Sequence, residues 1–533
     1  MVYVILGGDN LTTEDPKDLY EAKRSPKWPE WEKAIQTELS QLGNMGTWEL
    51  TDLPAGRKPV TNKWVFLRKY TKEGKLAKYK ARLVARRYSQ IPRMDLNDTF
   101  SPVVRLEAIR SITALAINLD WEMQQMDVKG AYLNGILKEE LYMTQPQGFS
   151  DGTERICRLI KTLYGLKQSG REWNQEFNSK LIGRNFKRVQ SDPCVYIRMS
   201  QYHIEIITVW VDDLLLFTDT EDLMKNLKRE LGELFEVTDL GEPNKIVGIE
   251  ILRDRKSGTL KLTQTRYIES LLRQYGLENA NSVGMPMDPN IKLDTVPDNE
   301  NDEPRSRSYS YASLIGSLMY LAVATRPDIV FAVYQLALFT NNPGMQHWAA
   351  AKHVLRYLSG TKELGITYRK DPNYDPTNIF HGYSDANFAS NADGTSITGF
   401  VFKSADAAIT WNSKWQRNIL QSTTETEYVG LNEATREAVW LRNLYEELGF
   451  RQTKPTTVYG DNQGSLAVAV NPQFHKRTKH FQVKMFYVRE QIQNKTIKTE
   501  YCPTAEMTAD IFTKPLHKPK HLFHTTNMGM TMA

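Results

Sequence analysis

The spacing of apolar positions predicts strands and one helix in the N-terminal part of the chain. Four segments have the pattern of strands, either alternating or continuous and rich in β-branched residues: residues 63–70, 81–88, 204–211 and 214–217. We expect a turn at Glu73-Gly74 between the first two, and a hairpin turn at Asp212-Asp213 between the last two. The helical spacing of apolar residues predicts a helix over 105–118.

The C-terminal half shows the same mixture, with longer helical segments. Three further strand-like segments are residues 379–385, 399–403 and 456–461. Residues 311–360 have the apolar periodicity of two or three helices, and one long helix is predicted from about 425 to 448. Polar segments with prolines at 288–310 and 370–378 are typical of linkers or exposed loops. Helices layered on sheets predict an α/β multidomain fold.

Length and charge add to this picture. The 533 residues exceed what one compact core holds, which predicts two or three domains. The net charge is only +5, but residues 57–87 contain twelve Lys or Arg and a single acidic residue, Glu73. Aromatic residues such as Trp64 and Tyr79 lie among these cations. This pattern suits contact with phosphates and bases, and it equally suits a solvated pair of strands.

Several other classes of protein receive no support from the sequence. Cys157, Cys194 and Cys502 form no CxxC pair, so we expect neither a disulfide framework nor a zinc finger. The first residues lack the basic and apolar segments of a signal peptide. The longest apolar runs, such as residues 318–324, are far shorter than the roughly 20 residues that span a bilayer. We therefore expect no membrane partner.

Three aspartates stand beside strand-like segments in the N-terminal part. Asp127 follows a strand-like run and begins a turn, and Asp212 and Asp213 separate the strands of the predicted hairpin. Adjacent carboxylates repel each other, and a cation between them relieves this repulsion. Mg²⁺ prefers carboxylate oxygens, and two such ions can assist an in-line phosphoryl displacement. The alternative is a hairpin turn that uses Asp because Asp tolerates a left-handed backbone.

Four further acidic residues are candidates for a second site. Asp385 and Asp461 each end a predicted strand, Glu427 lies early in the long helix, and Asp510 comes late in the chain. If folding brings them together, they can hold two Mg²⁺ and activate water for phosphodiester cleavage. Each has a structural alternative. Thr424-x-x-Glu427 fits a capping box, and Asp461 and Asp510 can be simple caps or surface residues.

Longer words in the sequence occur in the order found in one family. In the N-terminal part they are KWVF at 63–66, YKARLVA at 79–85, TFSPVVR at 99–105, QMDVKGAYLNG at 125–135 and LYGLKQ at 163–168. In the C-terminal part they are STTETEY at 422–428, DNQ at 461–463 and ADIFTKP at 509–515. From about residue 20 to 516, the chain resembles the reverse transcriptase and ribonuclease H portion of copia-type LTR retrotransposon polyproteins.

The resemblance implies a right-hand polymerase (fingers, palm and thumb) followed by a helical connection and a ribonuclease H-like α/β domain. The implied boundaries are 1–305 for the reverse transcriptase, with a thumb-like segment from about 240, then 306–376 and 377–533. The implied activities are an RNA-directed DNA polymerase (a nucleotidyltransferase) and an endoribonuclease that degrades RNA in RNA–DNA hybrids during retrotransposon replication. The implied partners are an RNA template, a DNA primer, the hybrid, dNTPs and other polyprotein products.

Site residues follow from the resemblance by position. The implied catalytic metal ligands are Asp127, Asp212 and Asp213 for the polymerase, and Asp385, Glu427, Asp461 and Asp510 for ribonuclease H. Each site would take two Mg²⁺, with Mn²⁺ as a substitute. Tyr132 would be the aromatic gate that excludes a ribose 2′-OH, and Gln168 would contact the incoming nucleotide and template. Lys80 and Arg82 would bind the triphosphate. Glu427 is preferred over its rival Glu425 because the residues that follow it match the family.

Three positions depart from the family pattern. Trp210 stands where the family usually has Tyr, and Gln482 and Phe486 stand where it commonly has Asp and His. His480 lies in a loop that the family uses near the scissile strand. These departures motivate an alternative, a catalytically decayed relic that at most binds nucleic acid, which the seven intact carboxylates oppose. A third hypothesis, a protein-only scaffold, requires the carboxylates to be incidental. The resemblance implies a cytoplasmic location, in a virus-like particle if the full element is expressed, and a nuclear one later.

Overall fold

The computed structural model describes residues 15–70, 75–91, 94–95, 98–294, 306–390, 394–416, 419–471 and 482–532. Its helices are α1 (Leu19–Arg24), α2 (Trp28–Asn44), α3 (Leu106–Asn118), α4 (Ser169–Ile182), α5 (Glu221–Leu234), α6 (Thr265–Gln274), α7 (Ser306–Ala324), α8 (Val330–Ala337), α9 (Met345–Gly360), α10 (Thr423–Glu447), α11 (Gln463–Val470), α12 (Gln482–Gln493) and α13 (Lys518–Asn527). Its strands are β1 (Trp48–Thr51), β2 (Asn62–Tyr70), β3 (Leu76–Ala85), β4 (Glu122–Val128), β5 (Ile136–Met143), β6 (Ile156–Lys161), β7 (Lys187–Arg188), β8 (Val195–Met199), β9 (Ile204–Trp210), β10 (Asp213–Thr218), β11 (Val237–Gly241), β12 (Lys245–Ile246), β13 (Ile249–Asp254), β14 (Thr259–Thr263), β15 (Gly365–Arg369), β16 (His381–Asn387), β17 (Ile397–Ser404), β18 (Ala407–Trp415), β19 (Thr456–Gly460), β20 (Ile497–Tyr501) and β21 (Met530–Thr531).

The described residues form two compact units. The first contains residues within 1–104, 124–188 and 193–242. Its largest sheet has six strands in the order β11-β4-β10-β9-β8-β7, beside a three-stranded sheet β1-β6-β5 and the hairpin β2-β3. The predicted hairpin is confirmed as the antiparallel pair β9 and β10, in which Glu205 is opposite Thr218.

The β2–β3 hairpin has one apolar and one polar face. Trp64 and Leu83 are buried in a core that also contains Trp31 of α2. Because successive side chains of a strand point to opposite faces, Lys80 and Arg82 lie on the other face of this hairpin. The hairpin therefore presents these cations on the side away from the core.

Two details of this hairpin differ from prediction or lie outside the structure. The second strand, predicted at 81–88, begins earlier and ends at Ala85, because residues from Arg87 to Ser89 form a short 3₁₀ turn. The predicted turn at Glu73-Gly74 lies outside the described residues.

The second unit contains residues within 105–123, 189–192 and 243–533. One of its sheets is antiparallel, in the order β12-β13-β14-β15-β21. The other has the order β18-β17-β16-β19-β20, in which β16 is antiparallel to β17 but parallel to β19. The predicted long helix is confirmed as α10, which packs against β16 and β17. Its buried stripe contains Tyr428, Leu431, Ala434, Ala438 and Leu441.

The helical middle segment is also confirmed. Helices α7, α8 and α9 cover most of residues 311–360. The linker predicted at 288–310 is too long at its C-terminal end, because α7 begins at residue 306, and residues 295–305 lie outside the described ranges. Residues 370–378 contain no helix or strand, in agreement with the predicted loop.

Helix α3 is held in the second unit by a buried cation. Arg110 donates hydrogen bonds to the carbonyl oxygens of Ile409 at 2.7 Å, Val323 at 2.9 Å and Ala324 at 3.0 Å. Its guanidinium also lies 3.8 Å from the centre of the Trp411 ring. Val323 and Ala324 end α7, where unpaired carbonyls and the helix dipole favour a positive charge. Arg110 therefore connects α3 with α7 and β18.

The mixed sheets and helices confirm the predicted α/β multidomain class. The two units do not follow the boundaries implied at residues 305 and 376, because α3 and residues 189–192 fold with the second unit. Those boundaries refer to sequence segments and stay a prediction. Within the described ranges, no helix is both long enough and apolar enough to cross a membrane.

Candidate active sites

The first carboxylate set lies where β4 meets the β9–β10 hairpin. Strands β4 and β10 are neighbours in the six-stranded sheet, and the backbone N–H of Val128 donates to the carbonyl oxygen of Asp212 at 2.8 Å. Asp127 is the next-to-last residue of β4, and Asp213 is the first residue of β10. The fold therefore brings all three aspartates to one end of one sheet.

The hairpin turn is shifted by one residue from the prediction. Trp210 pairs with Asp213, so the turn consists of Val211 and Asp212 rather than Asp212-Asp213. Val211 has a φ of 57°, a left-handed conformation that β-branched residues rarely adopt. The indole N–H of Trp173 donates to the Val211 carbonyl oxygen at 2.7 Å and holds this turn. Strain of this kind persists where surrounding contacts fix the backbone, and here it orients Asp212.

Burial and mutual repulsion raise the pKa values of two of these aspartates. The pKa of Asp213 is raised to about 6, chiefly by burial and then by the charge of Asp212. The Gln125 amide, which donates to Asp213 Oδ1 at 3.1 Å, opposes this rise in pKa. The pKa of Asp127 is raised by burial and by Asp212 as well. Carboxylates that repel each other are stabilised by a bound divalent cation, so the donor set fits a hard metal ion.

The two cations predicted to bind triphosphate lie beside this set. Nη2 of Arg82 is 3.9 Å from Oδ2 of Asp212, and its guanidinium is 4.4 Å from the centre of the Tyr164 ring. The pKa of Lys80 is lowered to about 8, chiefly by burial and then by the charge of Arg82. The placement of both side chains next to the aspartates suits an anionic ligand that also reaches a metal ion.

Tyr132 lies close to the same aspartates. It belongs to a short 3₁₀ helix (Ala131–Asn134) that follows β4, and its ring packs edge-on against Tyr164 at 5.1 Å between centroids. Burial and then the charge of Asp212 raise the pKa of Tyr132 to about 12. The ring is half-buried, and its role as an aromatic gate stays a prediction.

Gln168 forms hydrogen bonds within the protein. Its side chain is fully buried, its Oε1 accepts from Nε2 of Gln90 at 2.9 Å, and its Nε2 donates to the carbonyl oxygen of Asp95 at 3.0 Å. Oε1 of Gln90 in turn accepts from the backbone N–H of Lys167 at 2.9 Å. Both ends of the Gln168 amide are thus bonded inside the protein, and its contact with nucleotide and template stays a prediction. Gln168 instead anchors Gln90 and Asp95 against the start of α4.

The second site brings three of the four predicted carboxylates together. Among the residues that the structure describes, one group of acidic side chains has ligand atoms within 4.8 Å of one another, and it consists of Asp385, Glu427 and Asp461. The parallel strands β16 and β19 pair Tyr383 with Tyr459, so Asp385, on β16, and Asp461, directly after β19, each follow two residues later. Glu427 comes from the beginning of α10. Sheet and helix thus position this triad of carboxylates.

Burial makes this triad unfavourable as a set of free anions. Asp385 is 2% exposed, and its pKa is raised to about 7 chiefly by burial, although Lys514 lowers it. The pKa of Glu427 is raised to about 10, first by burial and then by the charges of Asp385 and Asp461. A divalent cation would replace the protons and relieve the repulsion. The donor set therefore fits such an ion.

The helix-capping alternative belongs to Glu425 rather than to Glu427. Helix α10 begins at Thr423, and the N-cap residue Ser422 accepts from the backbone N–H of Glu425 at 3.2 Å. Oε2 of Glu425 accepts from the backbone N–H of Gln421 at 3.1 Å. This exchange satisfies donors at the helix start, as a capping box does. The capping box predicted at Thr424-x-x-Glu427 is wrong, because Thr424 is already inside the helix.

Asp510 is not one of the three grouped carboxylates, and its role as a fourth metal ligand stays a prediction. It is fully buried, its Oδ1 is 2.8 Å from Nζ of Lys514, and its Oδ2 accepts from Nζ of Lys520. The Lys514 ammonium is also 3.9 Å from Oδ2 of Asp385, and the Thr513 hydroxyl donates to that same oxygen. Two lysines therefore occupy the carboxylate that the prediction assigned to a metal ion.

Of the positions that depart from the family pattern, Trp210 lies beside the first carboxylate set, where it pairs with Asp213. Trp210 ends β9 and is half-buried beside the strained turn. Phe486, on α12, is 54% exposed. His480 and the side chain of Gln482 lie outside the described residues.

Sequence reasoning missed several residues that shape the two sites. Trp173 holds the Val211 turn by one hydrogen bond, and Gln90 bonds both the Gln168 side chain and the backbone N–H of Lys167. No local sequence pattern marks such contacts. The sequence could have indicated Lys514, because this lysine lies in ADIFTKP, one of the words shared with the family.

The first site lies in a segment that matches a known protein family. Residues 45–289 match the family described as reverse transcriptase (RNA-dependent DNA polymerase). This span contains Asp127, Asp212 and Asp213 together with Lys80 and Arg82. The fold and the first site therefore define a chain that carries a reverse transcriptase domain.

Similarity to known proteins extends over nearly the whole chain. The chain is 38% identical over 534 residues to the retrovirus-related Pol polyprotein from transposon TNT 1-94 of Nicotiana tabacum, covering 99% of this chain. It is 35% identical over 522 residues to that from transposon RE1 of Arabidopsis thaliana, covering 97%. The chain is thus similar to retrovirus-related Pol polyproteins of plant transposons over nearly its whole length, which agrees with the copia-type resemblance.

The chain is shorter than these relatives. It spans 40% of the TNT 1-94 polyprotein and 35% of the RE1 polyprotein. Among solved structures, a foamy viral protease–reverse transcriptase in complex with an RNA/DNA hybrid aligns with 89% of this chain and 53% of its own chain. That alignment has a TM-score of 0.47 and 11% sequence identity.

Proposed function

We propose that the chain is an RNA-directed DNA polymerase with a ribonuclease H domain, and that it serves the replication of a retrotransposon. The observation that supports this most is the placement of Asp127, Asp212 and Asp213 at one sheet end beside Lys80 and Arg82. These five residues lie within the segment that matches reverse transcriptase. The second carboxylate site, in the other unit, supports the second activity.

At the first site the proposed substrates are a dNTP and a DNA primer annealed to an RNA template. Mg²⁺ held by the three aspartates would lower the pKa of the primer 3′-hydroxyl and neutralise charge on the triphosphate. Lys80 and Arg82 would bind the triphosphate oxygens, which carry the charge that these cations neutralise. Tyr132 would lie against the sugar of the nucleotide. Trp173, through Val211, would keep Asp212 oriented toward the reacting groups.

At the second site the proposed substrate is the RNA strand of an RNA–DNA hybrid. Asp385, Glu427 and Asp461 would hold a divalent cation, Mg²⁺ or its substitute Mn²⁺, which would activate water for phosphodiester cleavage. Glu427 retains its proton at neutral pH in the metal-free site and would give it up when the ion binds. The hybrid would be distinguished by its groove shape and by the 2′-hydroxyl groups of its RNA strand.

Primer extension on a poly(rA)–oligo(dT) template with Mg²⁺ tests the polymerase proposal. Asp212→Asn keeps the volume of the side chain but removes the charge, and it should abolish extension. The matched control is Asp222→Asn, whose carboxylate is 91% exposed on α5 and should be dispensable. Extension should require divalent ions and should stop when EDTA is added.

A folded, hybrid-binding chain that extends no primer would contradict the polymerase proposal. It would favour the alternative of a decayed relic, to which Trp210 at the end of β9 then becomes a candidate contributor. Restoring the usual family residue with Trp210→Tyr would separate the two outcomes. Recovered extension in that variant would show that this residue alone inactivates the copy.

A further inference from the structure

The segment that follows β20 brings two lysines to the second carboxylate site. Lys514 Nζ is 2.8 Å from Oδ1 of Asp510 and 3.9 Å from Oδ2 of Asp385. Lys520 Nζ donates to Oδ2 of Asp510 and to the carbonyl oxygen of Thr504 at 3.4 Å. One ammonium group, that of Lys514, thus bridges two buried carboxylates.

The bridging position is the one that a second divalent ion would need. In two-metal sites the ions lie roughly 3.5–4 Å apart. A carboxylate between them is therefore close to both ions. Asp385 belongs to the triad with Glu427 and Asp461, and its Oδ2 is also 3.9 Å from Nζ of Lys514. A second ion between Asp385 and Asp510 would have to displace the Lys514 ammonium from both.

Several contacts hold the ammonium in this place. Asp510 is fully buried, and both of its oxygens are occupied by lysines, so it has little freedom to turn toward the triad. The Thr513 hydroxyl, which precedes Lys514 in the chain, donates to Oδ2 of Asp385. A buried carboxylate that loses a charged partner is strongly destabilised, which opposes displacement of the lysine.

We propose that the Lys514 ammonium takes the place of a second divalent cation, so that this site binds a single ion at Asp385, Glu427 and Asp461. Asp510 is then a positioning residue for Lys514 and not a metal ligand. This inference rests on the proposed ribonuclease H function and replaces the expectation of two ions at this site.

Counting bound Mn²⁺ on the full chain tests the inference without relying on activity. The electron paramagnetic resonance signal of free Mn²⁺ gives the number of ions bound, and the difference between wild type and Asp385→Asn gives the ions at this site. Wild type should show a difference of one ion. Lys514→Met, which keeps the length of the side chain but removes its charge, should show a difference of two.

Two control variants keep the result interpretable. Lys514→Arg retains the positive charge and should stay at one ion, and Lys520→Met, which removes the lysine that contacts Asp510 but not Asp385, should also stay at one. A wild-type difference of two ions, or a Lys514→Met count that remains at one in folded protein, overturns the inference. A wild-type difference of zero would instead refute the metal site itself and, with it, the proposed ribonuclease H function.

Discussion

Removing the charge of Asp385 should make the metal-free protein more stable at neutral and alkaline pH. The folded-state pKa of this buried carboxyl is raised from 3.8 to about 7, so the fold disfavours its ionised form. Relative to Asp385→Asn, the wild-type free energy of unfolding should therefore fall as pH rises from about 4 to about 7 and then level off. Asn preserves the acceptor for the Thr513 hydroxyl, so the charge is the main change.

The size of this effect follows from the two pKa values. The difference between 3.8 and about 7 corresponds to at most about 4 kcal/mol, because one pKa unit equals about 1.4 kcal/mol. Thermal unfolding of the full chain in EDTA, near pH 4 and above pH 7, measures it. The variant should melt several degrees above wild type at the higher pH and together with it at the lower pH. Glu490→Gln, an exposed position on α12, is the matched control and should match wild type at both.

Divalent ions should reverse this order. Mg²⁺ binds only folded sites, so it should raise the melting temperature of wild type by more than that of Asp385→Asn, which retains only the first carboxylate site. A variant that is less stable than wild type in EDTA above pH 7 would refute the reasoning. It would show that the Asp385 carboxylate is stabilised by its neighbours, such as Lys514, more than burial disfavours it.

Three further predictions concern other parts of the structure. Arg110→Met should lower the free energy of unfolding by about 3–5 kcal/mol, because it removes a buried charge bonded to three carbonyls. Arg436→Met, which removes an exposed ion pair, should lower it by less than about 1 kcal/mol. Denaturant titration measures both changes. Gln168→Ala should destabilise the chain by about 1–3 kcal/mol, since it removes the acceptor of the Gln90 Nε2 group. A raised KM for dNTP without lost stability would instead support direct nucleotide contact. Ion binding to the second site near pH 8 should release a proton from Glu427, measurable by calorimetry in buffers of different ionisation enthalpy and absent in Glu427→Gln.

The spacing of apolar residues predicted the strands and helices that bury one face in a hydrophobic core. The hairpin β9–β10 and the long helix α10 follow from runs of apolar residues, and both were located to within a few residues. The exact turn could not be read, because Asp212-Asp213 is the better turn sequence and Val211 is an unfavourable residue for a left-handed backbone. Tertiary contacts, such as the one from Trp173, decide that turn.

The sequence pattern did not predict the roles of residues whose partners are distant along the chain. Arg110 looks like a surface cation on a helix, and its carbonyl partners lie more than 200 residues away. The triad of Asp385, Glu427 and Asp461 was predicted because family words mark each member. The same words suggested a fourth ligand, but they do not show that lysines occupy Asp510. Spacing along the chain identifies candidate ligands, and packing determines which of them remain accessible to an ion.

The central claim is that two separate carboxylate sites on one chain perform two different reactions on nucleic acid. The most direct test measures primer extension and cleavage of the RNA strand of a hybrid with the same preparations of Asp213→Asn and Glu427→Gln. Asp213→Asn should lose extension and keep cleavage, and Glu427→Gln should lose cleavage and keep extension. The claim would be contradicted if either folded variant lost both reactions. It would also be contradicted if both variants kept both reactions.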